Sequence, residues 1–240
     1  MQFSVARRLG VVAAASLGAA TSVLIAAGPV AAAPNIVIGP GSEIDVVQKE
    51  TDKGIEVQAC TLGVMALTPD GRRVGVTAGH CGNAGQTVAV PVPGRDRTIA
   101  DVGKVERSAS PRISDDDRVI DPNEPDWATL AFKPGVPLTN RQGTVNPRIV
   151  GRAVVGDQVC RQGRTTGWQC GRVIDVAGNR ILSDVRSDHG DSGGPLIRMA
   201  DGAVLGIATS SFKDGSSAGQ SQYLDLGFIF GAAGGLRLAV

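Results

Sequence analysis

Histidine occurs only twice in the chain, as His80 and His189, and aromatic residues make up just 3% of it. The four cysteines include no C-x-x-C pair. With so few imidazoles and no thiolates at ligand spacing, neither a zinc site nor any other metal or cofactor is expected. There is no basic tract: 24 Lys and Arg stand against 23 Asp and Glu, a net charge of +1, which argues against nucleic acid as a partner. Long helical patterns are missing too. What is abundant is turn chemistry, with 33 glycines and 13 prolines, and valine recurs throughout. The composition predicts short strands joined by tight turns, in a chain of 240 residues that suffices for one or two domains with a real core.

The N-terminus reads as an address rather than as part of the fold. Arg7 and Arg8 precede an uncharged stretch from Leu9 to Val30, which ends in "VAAAP". A basic start, an apolar middle and a small-residue end are the marks of a secretory leader. Cleavage is expected after Ala32, so that the exported chain starts near Ala33. Loss of Arg7 and Arg8 leaves 22 basic and 23 acidic residues, a net charge of −1. The run is long enough to span a bilayer as an uncleaved anchor, but its alanine and glycine content and its ending favour cleavage. The expected location is therefore extracellular, or on the outer side of the membrane, with no stable membrane anchor. Export permits disulfides. Four cysteines allow three pairings, and pairing within each half of the chain, Cys60 with Cys81 and Cys160 with Cys170, is the simplest.

Strand-like runs include "TLGVMALT", "RRVGVTA", "QTVAVPV", "ADVGKVERS", "DWATLAF", "DQVCRQGR", "WQCGRVIDV", "AVLGIATSSF" and "QSQYLDL". Turn formers such as "TPDG", "VPGRD", "VAGN" and "MADG" separate them. The fold class is all-β, a barrel or a sandwich. The polar, acidic stretch 108–126 reads as a long surface loop, and "KPGVPLTNRQGTVNP" divides the chain near Pro137. The expected organisation is a leader over 1–32, a first domain over 33–137 and a second over 138–240.

Three short blocks could carry chemistry. His80 stands in "VTAGHCG", directly after a predicted strand; Asp126 in "EPDWATLAF"; Ser192 in "HGDSGGP". Taken singly, each has a bland explanation: a packed histidine, a strand-start aspartate, a turn serine. Together they supply a base, an orienting carboxylate and a nucleophile. "GDSGG" also fits the G-x-S-x-G elbow of lipases and esterases, but that fold places its histidine after the serine, and no histidine follows Ser192 here.

"TAGHC", "DWATL" and "GDSGGP" resemble the three catalytic blocks of the chymotrypsin-type serine proteases. "VCRQGRTTGWQCG" at 159–171 and "NIVIGPGSEI" near the predicted mature start resemble the bacterial α-lytic protease and streptogrisin branch, so that the likeness runs from about Asn35 to the C-terminus. The resemblance implies two six-stranded antiparallel β-barrels with a cleft between them. It implies that Ser192 attacks a carbonyl, His80 shuttles the proton and Asp126 orients the imidazole. The N–H groups of Gly190 and Ser192 would bind the oxyanion, with Gly193 and Gly194 letting the turn close. Lacking an "R-I-V-G-G" activation site, the chain is expected to pair Asp191 with Arg161, the arginine after the first cysteine of the "C-R-x-G-R-T-T-G" loop.

The chain also departs from that family. One disulfide near the specificity pocket is missing, and Arg186 stands about where a cysteine is expected. The long pro-region of many bacterial relatives is not found between leader and first block. The pocket wall is expected from Ala208, Thr209, Ser210 and Ser211, faced by Arg186, Ser187 and His189. No aspartate stands at its base, so cleavage after lysine or arginine is not supported. A serine, a histidine and an arginine could favour an acidic side chain; equally, Arg186 and His189 could be solvated loop residues. The expected function is a secreted, monomeric serine endopeptidase that acts on protein or peptide substrates through an acyl-enzyme. A binding module without turnover, and an esterase using the same triad, are the alternatives.

Overall fold

The computed structural model describes residues 36–52, 54–95, 98–111, 124–212 and 219–240. The stretch expected to be a leader, and most of the one expected to be an acidic surface loop, lie outside the described residues. The first half of the chain forms seven strands: β1 Glu43–Thr51, β2 Gly54–Thr61, β3 Val64–Leu67, β4 Arg73–Thr77, β5 Thr87–Pro91, β6 Ile99–Ala109 and β7 Trp127–Phe132. The second half adds β8 Ile149–Val150, β9 Gln158–Gly163, β10 Gly167–Ala177, β11 Arg180–Ser183, β12 Pro195–Arg198, β13 Ala203–Ser211 and β14 Ser221–Asp225. A short helix, α1 Leu226–Ala232, and a last strand, β15 Arg237–Leu238, complete it.

The second half closes on itself. Strands run in the order β12-β9-β10-β11-β14-β13, and β12 pairs with β13 to complete a six-stranded antiparallel barrel. Closure leaves no edge among those six strands, and the two-residue β8 lies outside it, parallel to β13. The seven strands of the first half, with β15 at one edge, form the other sheet, here the first, in the order β15-β3-β4-β7-β6-β5-β1-β2. A closed six-stranded barrel beside an antiparallel sheet of eight strands is consistent with the double-barrel architecture expected of the chain.

The strand-like runs of the sequence fall on β3 to β7, β9, β10, β13 and β14. The expected "TLGVMALT" strand is broken after Thr61, which ends β2, and resumes at Val64. The sequence does not mark β1 as a strand because it alternates only at its start: Ile44 and Val46 are core, while its far end, "KET", is polar and solvated. Helix α1 is too short to show a helical period; the Asp225 carboxylate caps it by accepting from Phe228 N at 2.8 Å.

The boundary near Pro137 divides the sequence more cleanly than it divides the packing. The chain end returns to the first sheet, where β15 pairs with β3 through Arg237↔Leu67 and Leu238↔Ala66. One buried cluster joins Val64, Val76 and Trp127 of the first half to Ile207, Leu224, Phe230 and Leu236 of the second. The C-terminal segment therefore seals the seam between the halves. Truncating Leu236, which is 6% exposed, to alanine is expected to cost roughly 2–5 kcal/mol, read as a lower urea midpoint at unchanged slope.

Candidate active site

His80 sits just beyond β4, in the single turn Gly79–Cys81. The glycine before it is required by space. A Cβ at Gly79 would lie 2.1 Å from Ala109 O and 2.8 Å from Trp127 N. The end of β6 and the start of β7 thus press directly on the His80 turn, and Ser110 Oγ ties them to it by donating to Gly79 O at 2.7 Å. Because Asp126 immediately precedes Trp127, this contact delivers its carboxylate to the histidine. Asp126 Oδ1 accepts from His80 N, and Oδ2 meets His80 Nδ1, both at 2.8 Å. Asp126 is 3% exposed. An ionised carboxylate only accepts, so Nδ1 carries the proton and the lone pair falls on Nε2.

Burial by itself would push the His80 imidazole down. The Asp126 charge beside it and their hydrogen bond outweigh that, and the net shift is upward from the usual 6.5. Asp101 is occupied elsewhere, in an ion pair with Lys133 at 2.7 Å.

The disulfide Cys60–Cys81 adjoins the histidine, and Cys160–Cys170 bridges β9 and β10 where the two residues face each other. The Cys60, His80 and Cys81 ligand atoms lie within 4.8 Å of one another, but sulfurs joined to each other offer no thiolate. From Cys60 the chain continues into Thr61, whose N–H donates to Ser192 O at 2.8 Å. This bond places the Ser192 backbone against the strand end that is stapled to the His80 turn.

Around Ser192, most main-chain N–H groups are already committed. Asp188 N donates to Asp191 Oδ2, His189 N to Asp188 Oδ1, Asp191 N to Asp188 O, Gly193 N to Ala208 O and Gly194 N to Asp191 O. Among the described residues, the N–H groups of Gly190 and Ser192 donate to no protein group. Two unclaimed donors two residues apart, one of them the serine's own, can hold an oxyanion beside its hydroxyl.

Beneath this loop lies an ion pair with no solvent exposure at either partner, Arg161 NH2 to Asp191 Oδ2 at 3.1 Å. Asp191 also accepts from Thr165 N at 2.9 Å, Thr166 N at 3.1 Å and Thr166 Oγ1 at 2.8 Å. Arg161 donates as well to Arg186 O at 2.6 Å, which secures the main chain there. Gly163 makes the room: a Cβ there would lie 1.9 Å from Arg161 NH1 and 2.2 Å from Asp191 Oδ1.

The expected pocket residues are placed unevenly. Ala208 is buried in the barrel core and contributes its backbone, bonded to Gly193 and Gly194. Ser187 and Ser211 are half-buried, whereas Arg186 and His189 are exposed. Nearby in the core, burial pushes the Tyr223 phenol up to about 12, against the opposing pull of Arg161, so it stays neutral. A groove of about 530 Å³ between Ile38, Glu43, Val90, Pro93 and Gln142 contains none of these residues.

No protein-family profile matches the chain. It is 30% identical over 204 residues to the uncharacterized protein Rv1815 of Mycobacterium tuberculosis H37Rv, covering 80% of this chain and 83% of that protein. The chain belongs to the family of that protein. The uncharacterized protein MT1863 of Mycobacterium tuberculosis strain CDC 1551 is 29% identical over 210 residues with the same coverage. Among solved structures, Nocardiopsis protease matches at 24% identity with a TM-score of 0.61, over 85% of this chain and 100% of that one. Thermobifida fusca protease A matches at 21% and 0.61 over the same shares. A glutamic-acid-specific serine protease that uses a histidine triad in substrate binding does so too, again at 21% and 0.61. The fold is that of the chymotrypsin-type proteases of the bacterial α-lytic and streptogrisin type.

The sequence singles out His80, Asp126, Ser192, Gly190, Asp191 and Arg161, and these six share one region. It gives no separate sign of Thr61, Gly163, Thr165 and Thr166, although three of them lie in the "CRQGRTTG" stretch. Replacing Arg161 by methionine should strand a buried charge and cost roughly 3–5 kcal/mol. Gly163→Ala should cost roughly 1–3 kcal/mol by overpacking. Thermal unfolding of both variants checks the order.

Proposed function

We propose that the protein is a secreted serine endopeptidase. The observation that carries this reading is the pair of uncommitted N–H groups at Gly190 and Ser192, on a loop that packs through Gly193 against Thr77 and Ala78, just before a histidine whose Nδ1 is held by a buried carboxylate. In the proposed reaction Ser192 Oγ attacks a peptide carbonyl while His80 Nε2 takes its proton. The carbonyl oxygen becomes an oxyanion, held by the two N–H groups. Collapse breaks the C–N bond; the amine leaves with the proton from His80, and the acyl group stays on Ser192 as an ester. Water, deprotonated by the same nitrogen, then releases the acid and restores the serine. Every proton in this sequence is carried by His80, so the chemistry calls for no metal or cofactor.

Serine-protease relatives of the same fold support peptide as the substrate class. The two disulfides and the leader-like N-terminus support export. The glutamate-specific relative uses a histidine triad. This chain has two histidines in all, and His80 is engaged by Asp126. Any preference for an acidic side chain would therefore rest on His189 with Ser187, Ser211 and Arg186.

A fluorophosphonate probe is expected to label Ser192 in the exported protein and to leave Ser192→Ala unlabelled. An unlabelled, inactive wild-type chain would leave a binding module in its place. Asp126→Asn should lower turnover by roughly 10⁴-fold. An amide that accepts from His80 N turns its NH2 toward Nδ1, which drives the ring proton to Nε2 and removes the base.

The pH profile tests the same pair. Protonated His80 is inactive and its affinity for protons is raised, so kcat/KM should fall on acidification at a pH above that of an ordinary histidine. In Asp126→Asn the residual activity should persist to lower pH, because the cause of the upward shift is gone.

A further inference from the structure

We propose that the Thr165 hydroxyl is a positioning group for this reaction, holding the His189–Gly190 peptide so that the Gly190 N–H faces the oxyanion. The inference rests on the peptidase reading above. Thr165 Oγ1 donates to His189 O at 2.6 Å. In a planar trans peptide the C=O and N–H point in opposite directions. Anchoring the His189 carbonyl on one side therefore aims the Gly190 N–H to the other.

Such an anchor is needed because Gly190 resists rotation poorly. Its φ is +94°, and glycine takes either sign of φ at little cost. Turning this one peptide would replace the N–H donor by a carbonyl oxygen, which repels an oxyanion. The hydroxyl packs closely against the peptide it anchors, and a Cβ at Gly190 would lie 2.5 Å from Thr165 Oγ1. Thr165 is itself fixed, since its N–H donates to the buried Asp191 carboxylate.

The next two peptides are held in the same way. Gly190 O accepts from Thr61 Oγ1 at 2.9 Å, and Asp191 O from Gly194 N at 3.0 Å. The latter bond directs the Ser192 N–H away from Gly194, as Thr165 directs that of Gly190. Three successive carbonyls are thus held, two of them from outside the loop by threonine hydroxyls from opposite halves of the protein.

Thr165→Val removes the hydroxyl and keeps the shape, at an exposed position that tolerates it. The variant is expected to lose roughly three- to tenfold in kcat, the scale of one hydrogen bond, with KM unchanged. Its affinity for a peptide aldehyde, whose hemiacetal oxygen occupies the hole, should fall by the same factor. Thr165→Ser should restore most of both losses. Unchanged kcat in Thr165→Val, or a serine variant as impaired as the valine one, would overturn the proposal. Crystal structures of wild type and Thr165→Val provide a readout independent of turnover. A rotated His189–Gly190 peptide in the variant is expected even if the chain cleaves nothing, and an unrotated one would overturn the inference without touching the peptidase reading.

Discussion

The Asp191 carboxylate is fully buried and gathers five donors: Arg161 NH2, both Thr166 N and Oγ1, Thr165 N and Asp188 N. A carboxylate taken out of water without such partners would be too costly to keep ionised. Each donor therefore has to be where it is, and those positions define the surrounding chain. Thr165 and Thr166 order the β9–β10 turn, Asp188 orders the segment before Ser192, and the guanidinium requires Gly163 to lack a side chain. Such a pair adds little to stability by itself, because attraction mainly offsets lost hydration. Its consequence is a single loop conformation, with Ser192 at one end and Gly190 in the middle.

That loop belongs to the second barrel, whereas His80 and Asp126 belong to the first sheet, so the site exists only if the halves keep register. Polar ties at the seam do this. Thr61 bonds the serine loop through both its N–H and its hydroxyl. Arg164, from the β9–β10 turn, reaches Asp45 at 2.6 Å, Ile44 O at 2.9 Å and Glu43 at 3.1 Å in the first sheet. Arg180, in β11, donates to the Glu124 carbonyl two residues before Asp126. Behind these contacts lies the apolar cluster that α1 and β15 complete. A pair of sheets that were merely adjacent would lack this register.

His80, Asp126 and Ser192 are legible because each lies in a block whose neighbours serve the backbone locally: a glycine that lets another strand approach, a disulfide cysteine, a turn of small residues. Arg161 and Asp191 are legible through the motif around Cys160. The pocket is much less so. Its wall depends on which face of β13 each residue presents, and the shift in register between Ala208 and Ser210 redirects the strand. Ala208 lies in the core, Ser187 and Ser211 are half-buried and His189 is exposed. The strand β1, with its polar end, and the returning β15, only two residues long, carry too little periodicity to be read.

The amino-acid sequence alone determined the fold class, the pairing of cysteines by proximity along the chain, and the residue types that could supply nucleophile, base and carboxylate. These rest on local chemistry: turn residues, alternation and short loops need few distant partners to be recognised. Only the tertiary structure decided which peptide N–H groups stay uncommitted, which threonines clasp the loop, and how the chain end locks the two halves. Those properties depend on donors and acceptors brought together from far apart in the chain, as Thr61 and Gly190 are across 129 positions. No local pattern encodes such a meeting, because it is fixed by the closure of the barrel and by the burial of a charge.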